Sequence, residues 1–159
     1  MPLPLLVLMS VLGVELTHAE LKLTIELPDG WRDDGCGPFV PPVAACRVAG
    51  KLGPCPVSIC PERVGVLWLT SPASLSTKEE EKAELLASDA GAVFVSSTSL
   101  SDGWVLAWDG AAWNKTFPFK VSRKIGQRVI ECAGEATTLA GQKQLIEACK
   151  SVRGVKKKP

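Results

Sequence analysis

The chain reads as an α+β domain. Three observations predict it: short runs alternating apolar and polar residues between proline and glycine turns, two stretches with helical apolar spacing, and a C-terminal hairpin followed by a helix. That last segment, Thr116 to Arg153, carries Cys132 on its final strand and Cys149 on its helix. With 159 residues, 46% of them apolar, one domain can bury its own core.

The first nineteen residues are set apart from that domain. Leu3 to Val14 is almost continuously apolar and too short to cross a bilayer, and Thr17-His18-Ala19 places small residues at the first and third positions of the triplet. This pattern predicts a signal peptide over 1–19, cut near Ala19. The expected organisation is then a single domain over 20–153, with a Cys-rich loop segment at 35–61, and a basic tail over 154–159. Nothing later in the chain is long and apolar enough to form a membrane span, and the expected location is periplasmic or secreted.

Leu21, Leu23, Ile25 and Leu27 alternate with polar residues and predict the first strand, closed by the Pro28-Asp29-Gly30 turn with Trp31 as an apolar anchor. Asp29, Asp33 and Asp34 cluster after it, but Arg32 sits among them, and a solvated turn is the expectation over a calcium loop. From Gly35 to Pro61 proline and glycine are dense, charge is sparse and no regular element fits. Cys36, Cys46, Cys55 and Cys60 fall here. The spacing lacks the close-set cysteine pairs of a zinc site, so disulfides are expected, with Cys55–Cys60 and Cys36–Cys46 as the first pairing.

Val64 to Thr70 is a continuous apolar run and predicts a strand buried on both faces. A helix follows, opened by Ser76 or Thr77 with Glu79, Glu80 and Glu81 in its first turn as capping and solvent-facing groups, and with a narrow apolar stripe of Ala83, Leu86 and Ala87. Strands are expected over Val93 to Thr98, Trp104 to Trp108 and Thr116 to Arg123. Trp104, Leu106 and Trp108 share one face, and Trp113 lies just past the turn. Trp104, Trp108 and Trp113 are therefore a candidate binding face, weighed against the commoner fate of tryptophan on strands, which is core. Asn114-Lys115-Thr116 matches a glycosylation acceptor.

Phe117, Phe119 and Val121 alternate inward, a turn at Ile125-Gly126 leads to a return strand from Arg128 to Ala133, and Gly134 is expected to break that strand. Thr137 or Thr138 caps the last helix, whose stripe is Leu145, Ile146, Cys149 and Val152. Cys132 and Cys149 then point into one interface and form a candidate disulfide.

Two stretches carry a family resemblance. The strand entering Leu27-Pro28-Asp29-Gly30-Trp31, and the closing strand and helix ending in Cys149-Lys150-Ser151-Val152-Arg153, resemble the two ends of the PsbP-like family. They also resemble small exported Gram-negative proteins of unknown function. The resemblance covers roughly a third of the chain and implies an α/β/α sandwich, an antiparallel sheet covered by helices, with the Cys/Pro/Gly-rich stretch as an insertion. It implies binding or assembly rather than catalysis, and brings no active site with it.

Residue content points the same way. Cleavage near Ala19 removes His18, the only histidine, and the chain has no tyrosine, which excludes histidine-based triads and metal centres from the mature protein. No C-x-x-C motif supports thiol redox chemistry. The net charge of +1, with interspersed signs, provides no footprint for nucleic acid, and Lys156 to Lys158 form a solvated tail. The expectation is an exported, disulfide-stabilised, non-catalytic binding or assembly protein without a cofactor, monomeric, with a protein or envelope component as partner. The alternatives are a small hydrolase using carboxylates, Asp33 with Asp34 or Asp109, and a Cys-rich zinc-binding module.

Overall fold

The computed structural model describes residues 13–33, 38–40, 47–52, 55–59, 65–110 and 116–156. In chain order the elements are β1 (Val14–His18), β2 (Leu23–Leu27), β3 (Arg32–Asp33), β4 (Pro38–Val40), β5 (Arg47–Leu52), β6 (Cys55–Ile59) and β7 (Gly65–Thr70). Helix α1 (Lys78–Ser88) follows, then β8 (Val93–Leu100), β9 (Gly103–Asp109), β10 (Phe117–Ile125), β11 (Arg128–Ala136), α2 (Leu139–Lys150) and β12 (Arg153–Gly154).

The central layer is a seven-stranded antiparallel sheet in the order β3-β4-β7-β11-β10-β9-β8. Its spine is the hairpin β10–β11, in register from Phe117 opposite Ala136 to Ile125 opposite Arg128 across the turn at Gly126. On one face Phe39, Leu67, Ile130, Cys132, Phe119, Val121, Val105 and Ala107 pack against Leu145, Ile146, Ala148 and Cys149 of α2 and Leu23, Ile25 and Leu27 of β2. Strand β2 belongs to a smaller sheet of order β1-β2-β12 on that side. Helix α1 covers part of the opposite face. The result is α+β, an antiparallel sheet between helical layers, as the resemblance implies.

Four expectations are corrected. First, β7 is buried on one face only: Leu67 and Leu69 enter the core while Trp68 is 42% exposed. Its apolar run reflects composition, and among the described residues α2 and β2 cover one side alone.

Second, Ala83, Leu86 and Ala87 of α1 are exposed. The helix rests on the sheet through Lys78, Glu81 and Lys82, and Glu81 is its buried residue. Lys78 Nζ donates to Ser99 Oγ at 3.0 Å, Lys82 Nζ lies 4.8 Å from the Phe94 ring centroid, and Glu81 pairs with Lys120. Charged pairing has replaced an apolar stripe. The capping itself is as expected, with Thr77 accepting from Glu80 N–H and the Glu80 carboxylate accepting from Thr77 N–H at 2.8 Å.

Third, Gly134 does not break β11, which runs on to Ala136. A Cβ there would lie 2.2 Å from the Val66 carbonyl oxygen and 2.8 Å from Phe119 Cζ, so glycine is required for close strand packing beneath the Phe119 ring.

Fourth, within 35–61, strands β5 and β6 form an antiparallel ladder from Arg47 opposite Ile59 to Leu52 opposite Cys55. Such a ladder satisfies backbone groups without the periodic apolar pattern that sequence reading relies on. Val14–His18, within the 1–19 stretch expected as a signal peptide, pairs as β1 with β2 from Val14 opposite Leu27 to His18 opposite Leu23. It is the outer strand of its sheet and mostly exposed.

The anticipated link between Cys132 and Cys149 is present, with sulfurs 2.02 Å and Cα atoms 5.6 Å apart, joining α2 to β11. Cys36, Cys46 and Cys60 lie outside the described residues; Cys55 begins β6, and its side chain is likewise outside them.

Candidate functional site

A cleft of about 520 Å³ opens between β8 and β9 on one side and α2 on the other. Its floor is apolar, because Val105 and Ala107 alternate onto the core face of β9 and Ile146 comes from the buried stripe of α2. Its wall on the strand side is small and hydroxylated: Ser96 and Thr98 line it, their hydroxyls 3.2 Å apart. Along α2 the rim is Lys143, Glu147 and Lys150, residues on adjacent turns, with Lys150 paired to Glu147 at 2.7 Å.

Gln142 closes one end. Only 1% exposed, it donates from Nε2 to the carbonyls of Trp108 at 3.0 Å and Pro118 at 2.6 Å. Both partners are acceptors, so the amide nitrogen must face them, and the carboxamide oxygen is left to accept. Sequence reading missed this residue. The available signal was a glutamine on the helical stripe that continues through Leu145, Ile146 and Cys149.

Strand β8 borders the cleft and is the outer strand of the seven-stranded sheet. Its eight residues, VFVSSTSL, include no charge and no proline, and Val93 and Val95 are 66% and 46% exposed. A register shift between Phe94 and Ser96 marks a bulge near its start. Beyond it Ser96 to Leu100 pair regularly with β9.

The tryptophans lie mainly on the other face. Trp104 is 4% exposed, and its Nε1 donates to the Ser76 carbonyl at 2.8 Å just before α1. Trp108 is half-buried beside Phe94, with ring centroids 6.5 Å apart. Trp113, Asp34 and Asn114 lie outside the described residues. Asp109 is exposed at the end of β9, and Asp33 pairs through its backbone with Phe39. Among the described residues no group of three or more His, Cys, Asp or Glu side chains is arranged to hold a metal ion.

Two charged groups elsewhere are perturbed. The backbone N–H and hydroxyl of Thr77 hold the Glu80 carboxyl below its ordinary pKa. Hydrogen bonding to Glu26, reinforced by Glu15, holds the Arg153 guanidinium above its ordinary value, so this side chain ties β12 to β2 and β1.

No protein-family model and no curated protein matches the sequence. The fold does match solved structures. The Saccharomyces cerevisiae Ran-binding protein Mog1p superposes with a TM-score of 0.58 at 11% identity, covering 92% of this chain and 97% of that one. A point mutant of Mog1 gives 0.56 at 10% identity, over 90% and 96% of the two chains. CyanoP, the cyanobacterial PsbP from Synechocystis sp. PCC 6803, gives 0.51 at 10% identity, over 92% and 95%. The architecture is thus that of PsbP-like and Mog1-like proteins. At these identities the likeness is one of fold.

Proposed function

We propose that this chain is an exported, disulfide-stabilised, non-catalytic binding or assembly protein whose partner is another protein. The observation that carries the reading is the cleft between β8 and α2: an apolar floor beside an uncharged outer strand, with lysines on the rim. Such a surface offers area and backbone hydrogen bonds, while its polar groups are engaged with one another, Ser96 with Thr98 and Lys150 with Glu147. The fold shared with a Ran-binding protein supports a protein-binding role in general, and names no partner for this chain.

Export is supported by the Cys132–Cys149 bond, which belongs to an oxidising compartment. It is compatible with β1, because loss of an outer, mostly exposed strand leaves β2 held by β12 and the core. Sequencing the N-terminus of the chain recovered from the periplasm or medium tests this part. Glu20 as the first residue is expected, and an uncut N-terminus overturns it.

Binding is tested by placing a photo-crosslinking phenylalanine analogue at Val95, Trp68, Leu86 or Val155 in producing cells. One discrete adduct with a second protein is expected from Val95. No adduct from any of the four positions overturns the reading.

A further inference from the structure

We infer that the partner binds as an added β-strand along β8, through an extended segment with apolar side chains at alternate positions and carboxylates beside them. This inference rests on the binding role proposed above and specifies its mode.

Outer strands present a row of unpaired N–H and C=O groups, and proteins normally protect them with charge, proline or short length. Strand β8 has none of the three: it is eight residues long with no charge and no proline. Its bulge sits at one end, leaving Ser96 to Leu100 in regular register with β9 and open on the outer side among the described residues. An added strand thus continues the sheet by backbone hydrogen bonds.

The side chains of β8 leave room on both faces. Toward the cleft stand Ser96 and Thr98, so a long apolar side chain from an added strand passes over them to reach Val105, Ala107 and Ile146. Toward α1 stand Ser97 and Ser99. The charges held against β8 are Lys78 and Lys82 of α1, over Ser99 and Phe94, and Lys143, Glu147 and Lys150 line the cleft on α2, the last two paired with each other; of the α1 glutamates, Glu81 is paired with Lys120, Glu80 caps the helix, and Glu79 and Glu84 are exposed. Lysines on both flanks complement carboxylates in the occupant. They also argue against a second copy of this chain, because self-pairing along β8 would bring the same lysines together.

The test uses the full chain and four synthetic peptides. The first alternates valine and threonine with aspartates at both ends; the second has lysines at the ends instead. The third and fourth are the first peptide N-methylated on one or the other alternate set of residues. Hydrogen exchange of the amides from 93 to 100 is read for each, with sedimentation to report oligomeric state. The acidic peptide is expected to slow exchange in β8, the basic peptide to bind about tenfold or more weakly, and one N-methylated peptide to lose about tenfold or more while the other binds.

Unchanged exchange in β8 with the acidic peptide overturns the inference. So does equal binding of both N-methylated peptides, which means that the cleft reads side chains alone. Self-association that protects β8 replaces the partner with a second copy. If photo-crosslinking captures a partner and β8 exchange is unchanged in that complex, the binding role stands and the strand mode falls; with no adduct, both fall.

Discussion

Glu81 and Lys120 form an ion pair between helix α1 and strand β10 of the seven-stranded sheet, with the Glu81 side chain 8% exposed and that of Lys120 24% exposed. The Ser76 hydroxyl lies 3.4 Å from the other carboxylate oxygen, and Glu131 is 4.0 Å from the same ammonium. Helix α1 is therefore seated by charge. Removing one partner of a fully buried pair costs about 3–5 kcal/mol, and partial exposure of Lys120 reduces this to about 2 kcal/mol for Glu81→Leu or Lys120→Met alone. The double replacement should recover most of the loss. Urea denaturation of the four proteins checks it, and additive losses would show the two residues to be uncoupled.

The Cys132–Cys149 bond closes a loop with a sequence separation of 17. For that length, restriction of the unfolded chain stabilises by about 3 kcal/mol. Replacing both cysteines by alanine should lower stability by that amount and leave partner binding intact. Unfolding free energies of variant and parent measure the first, and the crosslinking yield at Val95 the second. Loss of binding with the fold retained would identify the pair as part of the site.

Gln142 joins the ends of β9 and β10 by donating to Trp108 and Pro118. Leucine at this position fills similar volume but withdraws both donors, at a cost of about 2 kcal/mol. The denaturation midpoint should fall, and amide exchange should quicken near Trp108 and Pro118. A midpoint equal to the parent's would mean that water serves both carbonyls equally well.

Glu80 closes the capping box at Thr77, and its carboxyl is held below the ordinary range by those hydrogen bonds. A depressed folded-state pKa contributes stability that is present above the unfolded pKa and is lost as pH falls through the folded one. Glu80→Gln should therefore be less stable than the parent at neutral pH, and the gap should narrow under acid conditions below the ordinary carboxylate range. Paired melts at the two pH values check the sign; a gap that widens on acidification contradicts it.

Much of the fold is legible along the chain because strands and helix caps are local. The alternation of Leu23, Ile25 and Leu27, the turn at Gly126, the caps Thr77 and Thr138 and the stripe through Leu145, Ile146 and Cys149 all reside within a few residues of one another. The paired cysteines were legible for the same reason, since each lies on the inward side of its own element. Gly134 was misread because its reason is another strand's carbonyl, Val66, reached only once β7 pairs with β11.

The candidate site was not legible. Val95, Ser96 and Thr98 look like any polar-leaning strand, and Lys143, Glu147 and Lys150 like any solvent-facing helix turn; the cleft exists only because α2 crosses the core face beside β8. Which strand is left at the edge is a property of sheet order, and sheet order is set by long-range pairing. By itself the sequence determined the class of fold, the helix caps, the inward faces of β2 and α2 and the disulfide partners Cys132 and Cys149, all consequences of local periodicity. Tertiary structure alone decided that Glu81 is buried against Lys120, that Trp104 lies beneath α1, and that β8 is the outer strand, because each depends on elements distant in the chain meeting across the sheet.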